Sequence, residues 1–296
     1  MMKILVTGIT GLTGRYLYAR IKKELTDPVV YLVRETSNRS FMDPQDSVIF
    51  GDLSDPMAFA DQLDGVTAIL HLAPRSRLSA VMKLCETQAI QRLYYVNSTG
   101  IYSQFKKSSH IDLRNEADLK ASSLIYTIIR PSMIYGNAQD GNLHHLAKIM
   151  NRWPIYPIIG PGKGLMQPIH ADDLAQAIVS ALQHEELTRF KAYDVAGITP
   201  IAYKDLLKTL AKAMHKRIWF IHFPYNVALW LGKLADKVPN PLLSYEKVLR
   251  LHEDKVFDTA LAKTDLNFNP RSHEIGLAQE VEALIEAGVI KRRHNS

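Results

Sequence analysis

The start of the chain combines a short apolar run, a glycine-rich loop and a helical stripe. Residues 3–7 lead into Gly8-Ile9-Thr10-Gly11-Leu12-Thr13-Gly14, after which Leu17, Ile21 and Leu25 recur every four residues. Glycine permits a sharp turn, and it lets backbone N–H groups approach a phosphate without a Cβ clash. The helix that follows would point its positive dipole end at that phosphate. The spacing is GxxGxxG, not the GxGxxG of the standard fingerprint, but its position after a strand still predicts a pyrophosphate-binding loop.

Further apolar, β-branched runs alternate with helical patterns through the first half of the chain. They cover residues 29–33, 47–50, 67–71, 93–97 and 125–129. Several runs are apolar at successive positions, as in strands that are covered by helices on both faces. The alternation indicates right-handed βαβ units and a parallel sheet. We therefore predict an α/β fold with a doubly wound parallel (Rossmann) sheet and a smaller, mostly helical C-terminal substrate lobe.

The predicted division into lobes follows from a change in composition and residue pattern after residue 129. Prolines and glycines become frequent between residues 131 and 168, and residues from Tyr203 onward have mainly helical patterns. We expect residues 1–136 and 165–200 to form the dinucleotide-binding domain, with a helix over 171–182. Residues 137–164 and 201–296 would form the smaller substrate or partner lobe.

Composition is that of an ordinary globular protein: 296 residues, 47% hydrophobic and 22% charged. A single cysteine, Cys85, excludes an intrachain disulfide and a cysteine-cluster zinc site, and no metal site is predicted. The net charge is +6 and the sequence pI is about 9.2, but the basic residues are scattered apart from Lys291-Arg292-Arg293, so nucleic-acid binding is not predicted. The apolar stretch 218–234 is interrupted by polar residues and proline, so we expect no membrane span. No targeting segment is evident, and a cytoplasmic location is expected.

The second strand suggests which dinucleotide is bound. Arg34 stands twenty residues beyond Gly14, where an acidic residue would hold a ribose 2′-hydroxyl, and Arg39 follows in a polar loop. A guanidinium attracts a 2′-phosphate and cannot accept a hydroxyl hydrogen bond. We therefore expect NADP(H) rather than NAD(H), with Glu35 as the residue that argues for NAD(H). Asp52 either accepts a hydrogen bond from the adenine amino group or serves as a turn or cap residue.

Six short motifs occur in an order that matches a known family. They are Gly8-x-x-Gly11-x-x-Gly14, Gly51-Asp52-Leu53, His71-Leu72-Ala73, Ser98-Thr99-Gly100-Ile101-Tyr102, Arg130-Pro131-Ser132-Met133-Ile134-Tyr135-Gly136 and Pro168-Ile169-His170-Ala171-Asp172-Asp173-Leu174-Ala175. Over nearly its whole length the chain resembles the NAD(P)-dependent epimerase/dehydratase family of extended and atypical short-chain dehydrogenases/reductases. It is most similar to an atypical branch that includes nucleoside-diphosphate-sugar epimerase-like proteins and the NADPH-binding accessory subunit of respiratory complex I.

The resemblance implies roles for particular residues. The loop residues Gly8, Thr10, Gly11, Leu12, Thr13 and Gly14 would hold the pyrophosphate, and Arg34 would lie at the adenosine ribose. Asp52 and Leu53 would meet the adenine, and Leu72 and Ala73 would line the cleft. Ser98 would hydrogen-bond the reacting substrate oxygen, and Pro131, Ser132 and Met133 would lie beside the nicotinamide.

Active members of that family carry a Tyr-x-x-x-Lys pair on the helix after the fifth strand. The tyrosine exchanges a proton with the substrate, and the lysine holds the nicotinamide ribose and lowers the tyrosine pKa. The corresponding helix of this chain has no such pair: His110-x-x-x-Arg114 stands near the place, and Asp112 or Ser108 aligns equally well. Tyr102 and Lys106 have the right spacing but lie close behind Ser98. Either Tyr102 and Lys106 act as the pair, or His110 substitutes as the acid, or the dyad is absent.

Two functions therefore remain open from the sequence. One is an NADP(H)-dependent oxidoreductase or epimerase that acts on a small carbonyl, alcohol or nucleotide-sugar substrate. The alternative is a non-catalytic NADP(H)-binding protein with a structural or redox-sensing role. Aromatic residues of the second lobe would line a substrate pocket, form a partner surface or belong to the core: Trp219, Phe220, Phe223, Tyr225 and Trp230. Oligomeric state stays open.

Overall fold

A computed structural model describes residues 2–238 and 243–291. Arg292 and Arg293 of the basic C-terminal cluster lie outside these residues. The described chain is built around a seven-stranded sheet in the order β3-β2-β1-β4-β5-β6-β11, and every neighbouring pair is parallel. The strands are β1 (Ile4–Thr7), β2 (Val29–Val33), β3 (Ser47–Phe50), β4 (Ala68–His71), β5 (Arg92–Val96), β6 (Ile125–Pro131) and β11 (Lys191–Val195). The doubly wound parallel sheet is confirmed.

Six strands were predicted, and each lies within a residue or two of its expected bounds. The seventh strand, β11, was not predicted. Its sequence KAYDV includes Lys191 and Asp194, and only Tyr193 and Val195 are buried, at the edge of the sheet. A short, half-polar edge strand lacks the continuous apolar run by which buried parallel strands are identified.

Helices and short strand pairs complete the architecture. The helices are α1 (Leu12–Glu24), α2 (Leu78–Thr87), α3 (Ser109–Ala121), α4 (Leu143–Arg152), α5 (Ala171–Gln183), α6 (Glu185–Thr188), α7 (Tyr203–Ala213), α8 (Tyr225–Ala235), α9 (Tyr245–Leu249), α10 (Ala260–Leu266) and α11 (His273–Glu286). Three two-stranded ladders pair β7 (Ile134–Tyr135) with β10 (Ile169–His170), β8 (Ile155–Ile159) with β13 (Trp219–Phe223), and β9 (Leu165–Met166) with β12 (Ile201–Ala202). The predicted helix over 171–182 is thus confirmed as α5.

The sheet separates two apolar cores because successive strand residues point to opposite faces. Ile4 and Val6 join the core under α1, α5 and α10, whereas Leu5 joins the core under α2 and α3. Both cores are closed to water, so the sheet edge at the carboxyl ends of the strands is where a ligand can approach.

A third core lies mainly among elements of the predicted smaller lobe. It contains inward residues of α4, β8, α7 and α11, with Leu143, Ile158, Leu207 and Val281 as examples. Residues 260–268 pack differently, since Ala262, Leu266 and Phe268 lie in the core under α1 and α5. The proposed division into two lobes stays a prediction. Among the described residues, no helix is long and apolar enough to cross a bilayer.

Candidate dinucleotide-binding site

The glycine loop is shaped by two close backbone approaches. Gly8 has φ +83°, and a Cβ there would lie 2.6 Å from Ala73 N and 2.7 Å from Leu72 C. A Cβ on Gly14 would collide with the carbonyl oxygen of Ile9. The first glycine therefore seats the loop on the end of β4, and the third lets α1 pack tightly against the loop.

The loop leaves the N-terminus of α1 open. Gly11 is the N-cap residue, no side chain caps the helix, and its first turn holds no acidic residue. A Cβ on Gly11 would meet only the Gly8 carbonyl oxygen, at 3.4 Å, so there is space above this residue. Backbone N–H groups and the positive dipole end consequently face a cavity of about 260 Å³ that Gly8, Gly11, Leu12, Thr13 and Gly14 line.

A second cavity, of about 190 Å³, lies on the other side of Gly8. It is lined by the ends of β1 and β2, by the loop after β3 and by the turn after β4, including Thr10, Arg34, Asp52, Leu53 and Arg77. Gly8, Ala73 and Pro74 line both cavities, so the two form one elongated cleft across the carboxyl ends of the strands. A cleft with an anion-binding helix end at its middle fits an extended dinucleotide.

Two arginines line the part of this cleft next to the ends of β2 and β3, where the sequence predicts the adenosine. Arg34 was predicted, whereas Arg77 was not; it lies at the end of a short 3₁₀ turn, Arg75–Arg77, that follows β4. Glu35 lines an adjoining shallow depression, which shares Arg34, Gly51 and Asp52 with the cleft. Arg39 stacks over the Phe50 ring, with its guanidinium carbon 4.6 Å from the ring centre. The polar sequence Pro74-Arg75-Ser76-Arg77 after a buried strand was the available signal for Arg77.

Asp52 has a structural partner already. Its Oδ1 accepts a hydrogen bond of 2.7 Å from Ser54 N, and the bonds from Ser54 hold the pKa of this carboxyl below its usual value. Asp52 therefore serves the turn after β3 while it also lines the cavity. Its contact with adenine stays a prediction.

The other half of the cleft ends near β5 and β6. Its lining includes Leu72, Arg75, Asn97 and Pro131. Ser132 is buried, and its hydroxyl donates a 2.5 Å hydrogen bond to the Gln167 carbonyl oxygen, which fixes the loop after β6. Met133 is half-buried and packs against the core of the smaller lobe. The nicotinamide contacts of Pro131, Ser132 and Met133 stay predictions.

Ser98 and Lys106 lie close together beyond this end of the cleft. Ser98 is the N-cap of a 3₁₀ turn, and its Oγ accepts a 2.9 Å hydrogen bond from Gly100 N. A Cβ on Gly100 would collide with Lys106 Nζ and would lie 3.0 Å from Ser98 Oγ. The ammonium and the hydroxyl therefore occupy the same side of Gly100.

Lys106 belongs to an ion-pair cluster that the sequence did not reveal. Asp112, on α3, is 2% exposed; its Oδ2 accepts hydrogen bonds from Lys106 Nζ at 2.9 Å and from Arg75 Nη1. His110 and Arg114, the other candidates on α3, are exposed to solvent. A buried carboxylate thus stands at one of the positions that align with the family dyad, and it holds two cations at the end of the cleft.

Tyr102 lies in a different hydrogen-bond network. Its hydroxyl donates to Asp194 Oδ2 at 2.7 Å and accepts from Arg130 Nη1 at 3.0 Å. Burial, and then the hydrogen bond to Asp194, raise the pKa of Tyr102 to about 12. Tyr102 and Lys106 therefore have separate partners, and a pair between them stays a prediction that these contacts do not favour. Within the described residues, no group of three or more His, Cys, Asp or Glu side chains is placed to hold a metal ion.

The parallel sheet, the open helix end and the elongated cleft define a dinucleotide-binding α/β protein. A family model described as NAD(P)H-binding matches residues 8–185. That match covers more than half of the chain, so the protein belongs to the NAD(P)H-binding family and binds a nicotinamide dinucleotide.

Curated relatives fall into two kinds. The chain is 25% identical over 304 residues to NADH dehydrogenase [ubiquinone] 1 alpha subcomplex subunit 9, mitochondrial, of Arabidopsis thaliana, a match that covers 90% of this chain and 73% of the relative. It is 22% identical over 330 residues to the UDP-glucose 4-epimerase of Vibrio cholerae, with 96% of each chain covered.

Solved structures show the same fold at low identity. The UDP-glucuronic acid 4-epimerase of Bacillus cereus in complex with NAD superposes with a TM-score of 0.75 at 16% identity, covering 97% of this chain and 99% of that chain. The UDP-glucose 4-epimerase of Thermotoga maritima with UDP-glucose gives a TM-score of 0.74 at 16% identity and the same coverage. The fold is therefore that of the epimerases, without implying their substrates.

Proposed function

We propose that the dinucleotide is NADP(H) and that Arg34 and Arg77 hold its 2′-phosphate. The observation that carries this choice is that Arg34 and Arg77 both line the part of the cleft where we place the adenosine, whereas Glu35 lines only the adjoining depression. Among the described residues, neither arginine forms a salt bridge. Asp52 accepts the Ser54 N–H, and the charges of Arg77 and Arg34 add to the effect of that bond in lowering the pKa of its carboxyl. Two cations at the ribose end favour a phosphate over a neutral hydroxyl.

The test measures the affinity of four variants for NADPH and NADH by titration calorimetry. Arg34→Ala and Arg77→Ala should each weaken NADPH about tenfold, because a charge-assisted hydrogen bond is worth about 1.5–3 kcal/mol. NADH should change by less than twofold. Arg114→Ala, which removes an exposed arginine of α3, is the matched control, and Glu35→Gln should not weaken NADH. Equal losses for both nucleotides would contradict the assignment.

We further propose that the protein is an oxidoreductase or epimerase acting on a small carbonyl, alcohol or nucleotide-sugar substrate, with Ser98 and Lys106 at the reacting oxygen. Bound NADP(H) supplies hydride transfer. The Ser98 hydroxyl oxygen accepts the Gly100 N–H, which leaves its own proton for donation to a substrate oxygen. The Lys106 ammonium lies on the same side of Gly100 and can donate to that oxygen, while buried Asp112, which also pairs with Arg75, holds the ammonium in place.

The test follows NADPH oxidation with a panel of carbonyl substrates and the reverse reaction with alcohols. Lys106→Met should lower kcat about a hundredfold or more, as loss of a general acid does. Lys107→Met, an exposed neighbour, should leave kcat unchanged. Tyr102→Phe should keep at least half of the wild-type rate, since its hydroxyl is held by Asp194 and Arg130. A large loss in Tyr102→Phe with an active Lys106→Met would reverse the assignment.

A non-catalytic NADP(H)-binding role is the second candidate, and one contact favours it. Glu253 binds the loop beside Tyr102, accepting hydrogen bonds of 2.7 Å from Ser103 Oγ and from Gln104 N. This contact ties residue 253, in the predicted smaller lobe, to the segment that would meet a substrate. NADPH would then raise the melting temperature by mass action, but no carbonyl or alcohol would be turned over. Turnover by the wild-type protein would eliminate this candidate.

A further inference from the structure

An unusual surface lies on the smaller lobe, far along the chain from the glycine loop. β8 and β13 pair in parallel, with Trp219 opposite Ile155 and Ile221 opposite Pro157. Tyr156 and Ile158 point into the core of the lobe. The alternate residues therefore point outward: Trp219 is 74% exposed, Ile221 55% and Ile155 49%. We call the outward set, Trp153, Ile155, Pro157, Trp219 and Ile221, the tryptophan face.

Every tryptophan of the chain is exposed in this lobe. Trp153 ends α4 and is 58% exposed, and Trp230 on α8 is 61% exposed. Helix α8 buries Ala228 and Gly232 and turns its larger apolar side chains outward: Val227, Trp230, Leu231 and Leu234. Tryptophan is normally buried or placed at an interface. A helix and a sheet face that both expose apolar side chains indicate a surface that meets a partner.

The charges around these residues indicate the sign of that partner. The chain has 30 carboxylates in 296 residues, yet none lies between Asp140 and Asp172 or between Asp205 and Asp236. These two segments carry β8, β13 and α8. Their basic residues are Lys148, Arg152, Lys163, Lys208, Lys212, Lys216, Arg217 and Lys233. Of these, Lys208 pairs with Asp205, and Lys212 lines a cavity with Glu274, Glu282 and Glu286, so we rely on the two arginines beside the tryptophans. Arg152 lies 5.7 Å over the Trp153 ring, and Arg217 is exposed two residues before Trp219.

We propose that the tryptophan face binds peripherally to an anionic lipid bilayer. Exposed tryptophans at the depth of the headgroups, aliphatic side chains beside them and adjacent arginines are the features by which a protein lies on such a membrane. The proposal is independent of the function proposed for the dinucleotide cleft. No spanning segment is needed, since attachment uses side chains of a folded surface.

Other occupants fit the surface less well. Single-stranded nucleic acid binds to aromatic rings along a basic groove. The side chains of Ile155, Pro157 and Ile221 offer it neither an aromatic ring nor a hydrogen-bonding group. A second copy of the chain would bring two basic surfaces together, and like charges repel. A lipid headgroup layer instead offers negative charge outside and hydrocarbon beneath.

The experiment mixes the full chain with vesicles of pure phosphatidylcholine and with vesicles of equal parts phosphatidylcholine and phosphatidylglycerol. Because all three tryptophans lie in these segments, their fluorescence reports on the surface directly. We expect a shift to shorter wavelength and co-sedimentation with the mixed vesicles, weak binding to the neutral vesicles, and release by high salt.

Variants locate the contact. Arg152→Gln combined with Arg217→Gln should lower the partition coefficient about fivefold or more, since each basic residue near an anionic surface contributes about that factor. Trp219→Ser should also lower it about fivefold or more, because it removes the most exposed tryptophan of the face from the headgroup layer. Phe190→Ser removes another exposed aromatic, 59% exposed, beside the main sheet and should bind as the wild type. Unchanged melting curves would show that the variants are folded.

Four results would overturn the proposal. They are no binding, equal binding to both vesicle types, binding that Trp219→Ser leaves intact, and an effect of Phe190→Ser equal to that of Trp219→Ser. Tight binding of a single-stranded oligonucleotide without vesicle binding would assign the face to nucleic acid. Concentration-dependent dimerisation that Trp219→Ser abolishes, again without vesicle binding, would assign it to a second copy.

Discussion

At the scale of single residues, the three glycines of the loop do different work. Gly8 needs its positive φ and the space against Ala73, and Gly14 needs the space against the Ile9 carbonyl oxygen. Gly11 has neither constraint, because a Cβ there would meet one backbone atom at an ordinary contact distance. Packing therefore requires glycine at position 14. At position 11 we expect glycine to be required by the phosphates that would occupy the cavity above it.

Alanine substitutions separate these two requirements. Gly14→Ala should lower the free energy of unfolding by about 2–3 kcal/mol, because overpacking against a fixed backbone carbonyl forces the helix away from the strand. Gly11→Ala should change stability by less than about 1 kcal/mol yet weaken dinucleotide binding tenfold or more. Urea unfolding and calorimetry measure the two effects. A Gly11→Ala protein that binds as tightly as the wild type would show that the phosphates do not pass over this residue.

The sequence reveals the site residues whose positions a motif fixes. It does not reveal those whose contact partners are distant along the chain. Arg34 was found because the glycine loop fixes its offset, and Ser98 because it lies in a motif. The cluster of Asp112 with Arg75 and Lys106 was missed, since the ion pair from Arg75 spans 37 residues. No local sequence pattern indicates a contact between residues that become neighbours only when the sheet has folded.

At the scale of elements, strand prediction succeeded where both faces are buried. β1, β4 and β5 are mainly apolar and buried almost throughout, and they were found, but β11 at one edge and β13 were not. The run WFIHF of β13 was taken as part of a mainly helical region. It pairs with a single strand and exposes three of its five residues, so neither a buried run nor a clean alternation marks it.

Helix α3 is held in place by polar contacts that its sequence pattern does not predict. Its buried residues are Asp112, Glu116 and Leu119, so polar groups occupy most of its inward face. Glu116 accepts two hydrogen bonds from Arg130 on β6, at 2.7 and 2.6 Å, and a third from Asn97. Arg130 and Asn97 hold the pKa of Glu116 below its usual value against the effect of burial. Ion pairs therefore fix this helix at the end of the cleft. Because its inward face is mostly polar, the hydrophobic pattern of the sequence does not indicate how the helix packs.

At the scale of the molecule, the parallel sheet brings the carboxyl ends of β1, β2, β4 and β5 to one edge. His71 ends β4 beneath this edge, fully buried, and its Nδ1 lies 2.8 Å from Thr7 Oγ1 at the end of β1. Burial lowers the pKa of His71 to about 4. The floor of the cleft therefore depends on a neutral imidazole, and this couples stability of the whole fold to pH.

The direction of that coupling follows from the two pKa values. In the unfolded chain a histidine titrates near 6.5, and in the folded protein His71 titrates near 4. Its stabilising contribution is complete above pH 6.5 and is lost as the pH falls toward 4, by up to roughly 3 kcal/mol. Urea unfolding at pH 7 and at pH 4.5 should thus show a larger loss for the wild type than for His71→Asn, which cannot titrate. His110→Asn, at an exposed position, should keep the wild-type slope. Parallel pH profiles for the wild type and His71→Asn would mean that protonation of His71 does not limit the fold.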